Sequence, residues 1–428
     1  MSEWKKVKLG ELCDFINGGA WSDKEYAPEG IPVLKVTNCK NSGFSLSELS
    51  FLPYSLEQKY IQNRLQRNDV IIATVGSHPN LVNSSAGRSV IVNSFVEGFY
   101  LNQNAVCVRT KDQSKLNQLF WGYYSKYYLF QHYIQMRGKG AANQMRIAIS
   151  AIKEYPMPLP PIKVQEYIAT VLSLYDSLIE NYQKQIKLLE EAAQRLYKEW
   201  FVDLRFPGHE NTKIVEGVPE GWGKKKLWEI AEVIMGQSPK SEFYNSEKQG
   251  LPFHQGVGSY GFRFVVDNVY STSFTRIAEP NSVLFSVRAP VGRLNITKNK
   301  VVIGRGLAAI NHKNGCQSFL YYLLKERFFK DNIIGNGAIF ASISKDELLN
   351  LEFVIPKDNL VQRFEIIAHK IDKKIKNLDS QTINLTEARD RLLPKLMSGE
   401  ISVEAAQSVT SGLGVRKEQT GSPKPSDS

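Results

Sequence analysis

The chain has few cysteines, and neither its cysteines nor its histidines are spaced like a metal site. Its 428 residues include four cysteines and six histidines. No CxxC pair and no HExxH motif occurs, so we predict free buried thiols, a reducing compartment and no structural metal. The four thiols are those of Cys13, Cys39, Cys107 and Cys316.

Long apolar runs and catalytic motifs are also missing. No apolar run approaches the roughly 18 residues that suggest a membrane span, and the N-terminus lacks the apolar core of a signal peptide. We therefore expect a cytoplasmic chain without membrane contact. No phosphate loop and no Asp/Asn-Pro-Pro-aromatic methyltransferase motif occurs. Residues 256–261 spell GxGxxG, but neither an apolar strand before them nor a helix after them is predicted, so we interpret the match as coincidental.

Positive charge is present in two separate blocks. The formal net charge is +11, of which residues 1–158 carry +6 and residues 203–356 carry +4. Two basic blocks on nearly neutral connectors favour two contacts with a polyanion. A surplus that serves only solubility is the alternative.

The sequence also contains an internal repeat. Residues 4–18 align without gaps on residues 222–236, so that Trp4 matches Trp222 and Gly18 matches Gly236. In each copy a helix, near 114–136 or 316–333, follows the matched strands. This order predicts an α+β chain with two similar mixed α/β modules and an internal pseudo-twofold repeat. Further matches are residues 30–32 with 250–252, 68–75 with 281–288, and 101–108 with 303–310.

A long helix follows each module. In both helices apolar residues recur at alternating steps of four and three, which is the heptad pattern of a coiled coil. Only Thr382 and Arg389, in the second helix, break the pattern. Two such seams in one chain most simply pack on each other, although each could instead lie on its own module. The seam residues are Ile168, Leu172, Tyr175, Ile179, Tyr182, Ile186, Leu189, Leu196, Phe364, Ile371, Ile375, Leu378, Leu385, Leu392 and Leu396.

These features predict a layout of five segments. Residues 403–428 are rich in Ser, Thr, Gly and Pro and poor in large apolar groups, which is typical of a disordered tail. The other segments are a first module at 1–158, a first long helix at 159–202, a linker with the second module at 203–356, and a second long helix at 357–402.

Aromatic side chains crowd residues 120–133. This run could stack on bases or pack into the core. The second copy is also aromatic and apolar at this place, at residues 319–324. Because modules that read different sequences should differ where they read, we interpret the run as core.

Polar side chains in the segments where the copies differ are better candidates for DNA contact. Arg, Asn, Gln and His pair with base edges, although such loops can also be solvated or can bind phosphates without specificity. The candidates in the first module are His78, Asn80, Arg137, Lys139, Asn143, Gln144 and Arg146, and those in the second are His254, Gln255, Tyr260, Arg263, Arg288, Arg293 and Arg305.

Taken together, these features resemble the specificity subunit of a Type I restriction-modification system. The resemblance covers about residues 4–402. One departure is that Asn102-Gln-Asn stands where the second copy has Gly304-Arg-Gly, so whether the two loops play one role is open. The stretches that carry the resemblance are the two starts at Trp4 and Trp222, Arg195-Leu-Tyr-Lys-Glu-Trp-Phe-Val-Asp203, Gly304-Arg-Gly-Leu-Ala-Ala-Ile310 and Arg391-Leu-Leu-Pro-Lys-Leu-Met-Ser-Gly-Glu-Ile401.

The resemblance implies a division of labour. Each module is then a target recognition domain that reads half of a bipartite double-stranded DNA target, and the long helices pair antiparallel. Two methyltransferase subunits that use S-adenosylmethionine dock on this chain, and restriction (translocase) subunits add ATP- and Mg²⁺-dependent chemistry. The chain itself performs no catalysis and binds no cofactor. The alternative function is a non-catalytic coiled-coil scaffold that binds only protein.

Overall fold

The computed structural model describes residues 4–40, 43–46, 49–77, 85–141, 144–329 and 342–401. It divides the chain into two compact units: Met1–Tyr182 with Thr382–Ser428, and Gln183–Gln381. Each unit therefore contains one copy of the repeat and part of both long helices. The predicted layout differs, because it treats each helix as a separate segment. The predicted tail at 403–428 lies outside the described residues.

The first unit begins with a module of short strands and helices. Its strands are β1 (Lys5–Lys8), β2 (Cys13–Asn17), β3 (Ile31–Leu34), β4 (Cys39–Lys40), β5 (Gly43–Phe44), β6 (Ser50–Leu52), β7 (Val70–Ala73), β8 (Val75–Gly76), β9 (Ser89–Ile91), β10 (Tyr100–Leu101), β11 (Ala105–Thr110), β12 (Lys139–Ala141), β13 (Gln144–Arg146) and β14 (Pro156–Leu159). Its helices are α1 (Leu9–Leu12), α2 (Gln118–Ser125), α3 (Tyr128–Gln135), α4 (Ile149–Lys153) and the first part of α5 (Ile162–Phe201).

Pairing between these strands builds two main sheets. The strands β2-β11-β7-β9 form an antiparallel sheet in that order. A second sheet places β3 parallel to β10 and antiparallel to β6. Strand β1 closes the module by pairing with β14 just before α5 begins. The parallel pair matters for function, because the carboxyl ends of β3 and β10 meet at one edge.

Aromatic residues of α2 fill the core of this unit. Phe120, Trp121, Tyr123 and Tyr124 are all buried, and Trp121 packs edge-on against Phe130 of α3. The prediction that this run is core is confirmed. The single helix predicted at 114–136 is instead two helices, because the chain is extended at Tyr127, before α3 begins.

The second unit repeats the plan of the first. Its strands are β15 (Ile214–Val215), β16 (Val218–Pro219), β17 (Gly223–Lys226), β18 (Ala231–Met235), β19 (Tyr244–Asn245), β20 (Leu251–His254), β21 (Tyr270–Ser271), β22 (Ile277–Ala278), β23 (Val283–Ser286), β24 (Leu294–Ile296), β25 (Val301–Ile303), β26 (Leu307–His312) and β27 (Glu352–Ile355). Its helices are α6 (Leu227–Ile230), α7 (Gln317–Phe329), α8 (Lys345–Leu349) and the first part of α9 (Asp358–Ser398).

The strand order confirms the predicted repeat. The sheet β18-β26-β23-β24 matches β2-β11-β7-β9, the parallel pair β20 and β25 matches β3 and β10, and β17 pairs with β27 as β1 does with β14. Unusual backbone conformations recur as well. Asn68 and Asn281 both adopt a φ of 68°. Gly30 and Gly250 both have positive φ, and a Cβ on either would lie 2.1 Å from a carbonyl oxygen of the next strand.

Within each unit, the two long-helix segments run antiparallel. In the first unit Asp176 binds Arg389, and Ile168 shares a hydrophobic cluster with Leu396. In the second, Trp200 packs on Phe364 with ring centroids 6.0 Å apart, whereas Glu190, earlier in α5, and Asp372, later in α9, are joined by one arginine, Arg263. Every predicted seam residue is buried or half-buried. The coiled-coil prediction is confirmed.

The remaining general predictions concern thiols, metals and membranes. The four cysteines are free and buried, as predicted. Within the described ranges, no cluster of His, Cys, Asp and Glu could hold a metal ion. In the same ranges, no helix is long and apolar enough to cross a membrane.

Candidate nucleic-acid interface

In the second unit, three loops meet where the parallel strands β20 and β25 end. The Gly304 N–H donates to the His254 carbonyl at 2.8 Å, and the Gln237 N–H donates to the Ile303 carbonyl at 2.9 Å. These bonds bring together the loops that follow β18, β20 and β25. The carboxyl ends of parallel strands are a common place for ligand sites in open sheets.

Three polar residues occupy this place, and we call Ser238, Gln255 and Arg305 the second strand-end site. The Ser238 hydroxyl donates to Gln255 Oε1 at 2.8 Å and accepts from the Arg305 backbone N–H at 3.2 Å. Gln255 and Arg305 are exposed. In the described part of the chain, the Arg305 guanidinium makes no hydrogen bond or ion pair, so its donors face solvent and are available to a ligand.

Glycines allow the Arg305 loop to approach this closely. A Cβ on Gly304 would lie 2.9 Å from the Gln255 Cα, and one on Gly306 would lie 2.6 Å from the Gln255 carbonyl oxygen. Real Cβ atoms do not fit at such distances. The Gly304-Arg-Gly sequence therefore seats the arginine beside Gln255.

The first unit has the same backbone arrangement. The Asn102 N–H donates to the Leu34 carbonyl at 3.0 Å, and the Gly19 N–H donates to the Leu101 carbonyl at 2.7 Å. A Cβ on Gly18 would lie 1.9 Å from the Asn102 carbonyl oxygen, just as one on the matching Gly236 would crowd the second loop. The loop that begins with Asn102 is therefore the backbone equivalent of the Gly304-Arg-Gly loop.

The side chains at this place in the first unit are Lys35 and Gln103, which the sequence analysis did not select. Lys35 is half-buried, and its Nζ donates to Ser50 Oγ at 2.8 Å. Gln103 is exposed, and its Oε1 accepts from Asn102 Nδ2 at 2.8 Å. We call Lys35 and Gln103 the first strand-end site. The repeat contains the signal for it, since the matches at 30–32 and 101–108, extended along the strands, pair Lys35 with Gln255 and Gln103 with Arg305.

A small hairpin in the first unit gathers three predicted cations. Lys139 of β12 lies directly opposite Arg146 of β13, and both are exposed because the alternate residue, Met145, faces the core. Arg137 precedes the hairpin, with its guanidinium 3.5 Å from the centroid of the Tyr133 ring. We call Arg137, Lys139 and Arg146 the hairpin cations. Of the other candidates, Gln144 begins β13, whereas His78, Asn80 and Asn143 lie outside the described residues.

Backbone hydrogen bonds connect the hairpin to the first strand-end site. The Thr74 N–H donates to the Asn104 carbonyl at 3.0 Å, and the Ile147 N–H donates to the Thr74 carbonyl at 2.8 Å. The second unit repeats this connection through Val287, which donates to the Gly306 carbonyl at 3.0 Å. The predicted residue Arg288 follows directly and is exposed, so it lies beside the second strand-end site.

Arg263 occupies a different environment from the one predicted. It is 2% exposed, it binds Glu190, and its Nη2 donates to Asp372 Oδ1 at 2.6 Å. Its guanidinium also stacks 3.7 Å from the centroid of the Tyr321 ring. A side chain that is buried and bound to two carboxylates is not presented to a base, so the structure contradicts the predicted DNA contact by Arg263.

Two neighbouring candidates are also inside the module. His254 is fully buried, with Nε2 3.1 Å from Asp267 Oδ1. The Tyr260 hydroxyl is buried, and its ring packs against the core. Both predictions of DNA contact are therefore corrected. Arg293 is half-buried, and its backbone N–H donates to Ser286 Oγ at 2.8 Å.

The GxGxxG segment also differs in part from expectation. Strand β20 does lead into it, contrary to the sequence analysis. However, the segment itself forms a single 3-10 turn at Val257–Ser259, and no α-helix begins there. Without a helix N-terminus to hold a pyrophosphate, the segment lacks the context of a dinucleotide site.

A buried tyrosine–aspartate pair ties each module to a long helix. In the first unit the Tyr123 hydroxyl donates to Asp176 of α5 at 2.6 Å, and Arg389 of α9 binds the same carboxylate. In the second unit the Tyr322 hydroxyl donates to Asp372 at 3.2 Å, and Arg263 supplies the guanidinium. The arginine thus comes from a helix in one unit and from the recognition module in the other.

Residues 1–191 and 219–394 match the sequence model of a protein family, which is described as the Type I restriction modification DNA specificity domain. A specificity subunit (MjaX) of a type I restriction enzyme from Methanocaldococcus jannaschii is 27% identical over 94% of each chain. The MjaIX specificity subunit of the same organism is 32% identical over 60% of this chain and 62% of its own.

A solved structure shares the fold. The S subunit of a Type-I restriction-modification system from M. genitalium is 19% identical, covers 92% of this chain and 96% of its own, and gives a TM-score of 0.52. The chain belongs to the family of Type I restriction-modification DNA specificity subunits. This confirms the predicted resemblance, and with it a non-catalytic subunit of a family that functions in complex with modification and restriction subunits.

Proposed function

We propose that each module reads one half of a split double-stranded DNA target through the edge that contains its strand-end site. The observation that carries this proposal is that the same backbone hydrogen bonds hold the loops of both strand-end sites, while the polar side chains on these loops differ. We call this shared backbone arrangement the frame. A frame kept in both copies positions a ligand in the same way, and the side chains that differ select between ligands. A target with two unlike halves needs such a pair of readers in one chain.

The hairpin cations and Arg288 support contact with the DNA backbone beside the bases. Exposed arginine and lysine side chains neutralise phosphates and fix the register of a protein on the duplex without reading sequence. The net charge of +11 acts in the same direction. The alternative, a scaffold that binds only protein, does not account for cations next to diverged amides at the same edge.

The proposal assigns all chemistry to partners. Two methyltransferase subunits bring S-adenosylmethionine, and translocase-nuclease subunits bring ATP and Mg²⁺. A methyltransferase must turn its adenine out of the helix, which costs a few kcal/mol of stacking and pairing. A chain that binds both halves of the target supplies binding energy that offsets this cost. This explains why specificity resides in a separate chain.

The test is methylome sequencing of a host that lacks methylation and expresses this chain with its methyltransferase subunit. We expect one bipartite methylated motif. A chimera in which residues 1–158 are replaced by the matching module of another specificity subunit should change one half of the motif and keep the other. A chimera that altered both halves, or neither, would contradict independent reading. DNA binding by the purified chain that weakens steeply as salt is raised would exclude the scaffold, whereas a chain that binds its protein partners but no DNA would favour it.

A further inference from the structure

We propose that Lys35 with Gln103 and Gln255 with Arg305 are the base-reading pairs of the two half-sites, and that the cation and the amide have exchanged strands between the units. The inference rests on the proposed function and names the side chains that carry specificity in it.

Position is the first support for this assignment. Lys35 directly follows β3, and Gln255 directly follows the matching β20. Gln103 and Arg305 are the middle residues of the loops that follow β10 and β25. Because the same backbone hydrogen bonds hold these loops in both units, the first unit places a cation where the second has an amide, and the reverse at the other strand.

The pattern of change distinguishes these positions from the frame around them. The frame keeps Gly18 and Gly236, whose missing Cβ atoms let the loop carbonyl approach. Residues that only support the fold are retained in this way. Side chains that change chemical type on a retained backbone are instead expected at a surface that recognises different partners.

A hydrogen bond to the side-chain carbonyl oxygen orients the amide of both glutamines. Gln255 Oε1 is held by the Ser238 hydroxyl, and Gln103 Oε1 is held by Asn102 Nδ2, each at 2.8 Å. A carbonyl oxygen fixed in this way orients the amide plane, keeps a second lone pair to accept with, and leaves the NH₂ group to donate. An oriented glutamine matches the N6 and N7 edge of adenine.

The cations suit the other purine. Arginine or lysine donates to O6 and N7 of guanine, which is the commonest specific contact in the major groove. Arg305 is exposed, and in the described part of the chain its guanidinium makes no hydrogen bond or ion pair. Lys35 is half-buried: its ammonium donates to Ser50 and lies 4.5 Å from the centroid of the Tyr26 ring, which leaves two donors for a ligand. Each unit thus presents one adenine-directed and one guanine-directed group, in opposite order on its two strands.

The experiment exchanges the pairs. Gln255→Lys with Arg305→Gln gives the second unit the pair of the first, and Lys35→Gln with Gln103→Arg does the reverse. Each full-length double variant is expressed with the methyltransferase, and its methylome is sequenced. Each double variant leaves the net charge of the chain unchanged, and Arg327→Gln, which neutralises an exposed arginine of α7, is the control for a charge change outside the strand-end sites.

We expect each double variant to change the preferred base at one or two positions of one half-site, a different half for each variant, and to leave the other half intact. Arg327→Gln should keep the motif. Two unchanged motifs, or equal loss at every position of both halves, would overturn the inference.

A variant that no longer supports methylation is examined by affinity selection with the purified chain and duplexes randomised in one half-site. The expected shift in base preference is about tenfold or more at the affected positions. An unchanged preference would overturn the inference. If the wild-type chain yields no bipartite motif, the proposed function fails instead, so the two failures are distinguishable.

Discussion

Replacing Arg263 by methionine should destabilise the second unit far more than removing an exposed arginine. Arg263 has a side chain that is 1% exposed, and it binds two carboxylates that are themselves mostly buried, Glu190 and Asp372. Removing one partner of a buried ion pair typically costs about 3–5 kcal/mol, because charge is left without compensation in a low-dielectric interior. Methionine keeps much of the volume, so the loss reports on charge more than on packing.

The contacts that Glu190 and Asp372 keep after the substitution decide how large the loss of stability is within that range. Lys325 remains 2.8 Å from Glu190, so one carboxylate keeps a cation. Asp372 keeps the Tyr322 hydroxyl at 3.2 Å, which is a weaker partner for a charge. We therefore expect about 3 kcal/mol. Adding Asp372→Asn should restore about 1 kcal/mol or more, since a neutral amide is less costly to bury than an unpaired carboxylate.

The stabilisation should also depend on pH. Burial alone would raise the pKa of Glu190, but the charges of Arg263 and Lys325 outweigh burial and lower that pKa below its ordinary value of 4.5. A carboxyl group with a lowered folded-state pKa stabilises the fold above its unfolded-state pKa and loses this contribution as the pH falls through the folded-state pKa. The difference between the wild-type chain and Arg263→Met should therefore shrink below a pH of about 4.

Thermal unfolding of the full-length chain measures the effect. For a unit of about 200 residues, 1 kcal/mol corresponds to roughly 2–4 °C, so a loss of 3 kcal/mol predicts a decrease of about 6–12 °C in the transition of the second unit. Arg327→Met is the control and should change stability by less than about 0.5 kcal/mol. An Arg263→Met transition within 2 °C of this control would refute the reasoning.

Three further predictions follow from local geometry. Changing each hairpin cation to glutamine should weaken DNA binding by a similar factor for all sequences and lower the slope of log K against log salt by up to about 0.9 per residue, as measured by titrations at several salt concentrations; a change in preferred bases would contradict a phosphate role. Gly250→Ala should lower the melting temperature more than Gly315→Ala, because both have positive φ but only the former Cβ would meet a carbonyl oxygen, at 2.1 Å; equal losses would mean that the close approach relaxes. Burial raises the pKa of Cys13 and of Cys39 to about 12, so alkylation at pH 8 should be slow in the native chain and fast in denaturant, as followed by mass spectrometry, and fast native labelling would show that these thiols open to solvent.

Periodicity and repetition made the architecture predictable. A seam that continues over forty residues can be satisfied only by a partner seam, and the repeat supplied one. The sequence did not show why Thr382 and Arg389 interrupt the second seam. Arg389 stands in the seam because it binds Asp176, a residue 213 positions earlier in the chain. No local pattern connects two positions so far apart.

The predicted site was less accurate because residue type does not determine exposure. Arg263 and His254 have side chains suited to base edges, yet the structure buries both against acidic partners. Conversely, Lys35 and Gln103 follow short apolar strands that suggest core, and their position becomes visible only once β3 and β10 are known to pair in parallel. The repeat already aligned Gln103 with Arg305, and it would have paired Lys35 with Gln255 if the match at 30–32 had been extended by a few residues.

The arginine that binds the long-helix aspartate comes from α9 in the first unit and from the module in the second unit. This difference affects which substitutions each module can accept. In the second unit Arg263 lies in the segment that follows Gln255, so the recognition segment itself neutralises Asp372 and Glu190. In the first unit Arg389, on a helix, does this for Asp176. New specificity in the second module must therefore keep a buried cation in that segment, whereas the cation that the first module supplies to α5, Arg67 on Glu180, lies outside the matching segment. Replacement of residues 35–49 by the matching segment of a relative should consequently lower the melting temperature less than replacement of residues 255–269, as measured by thermal unfolding of the two chimeras; equal decreases would contradict this argument.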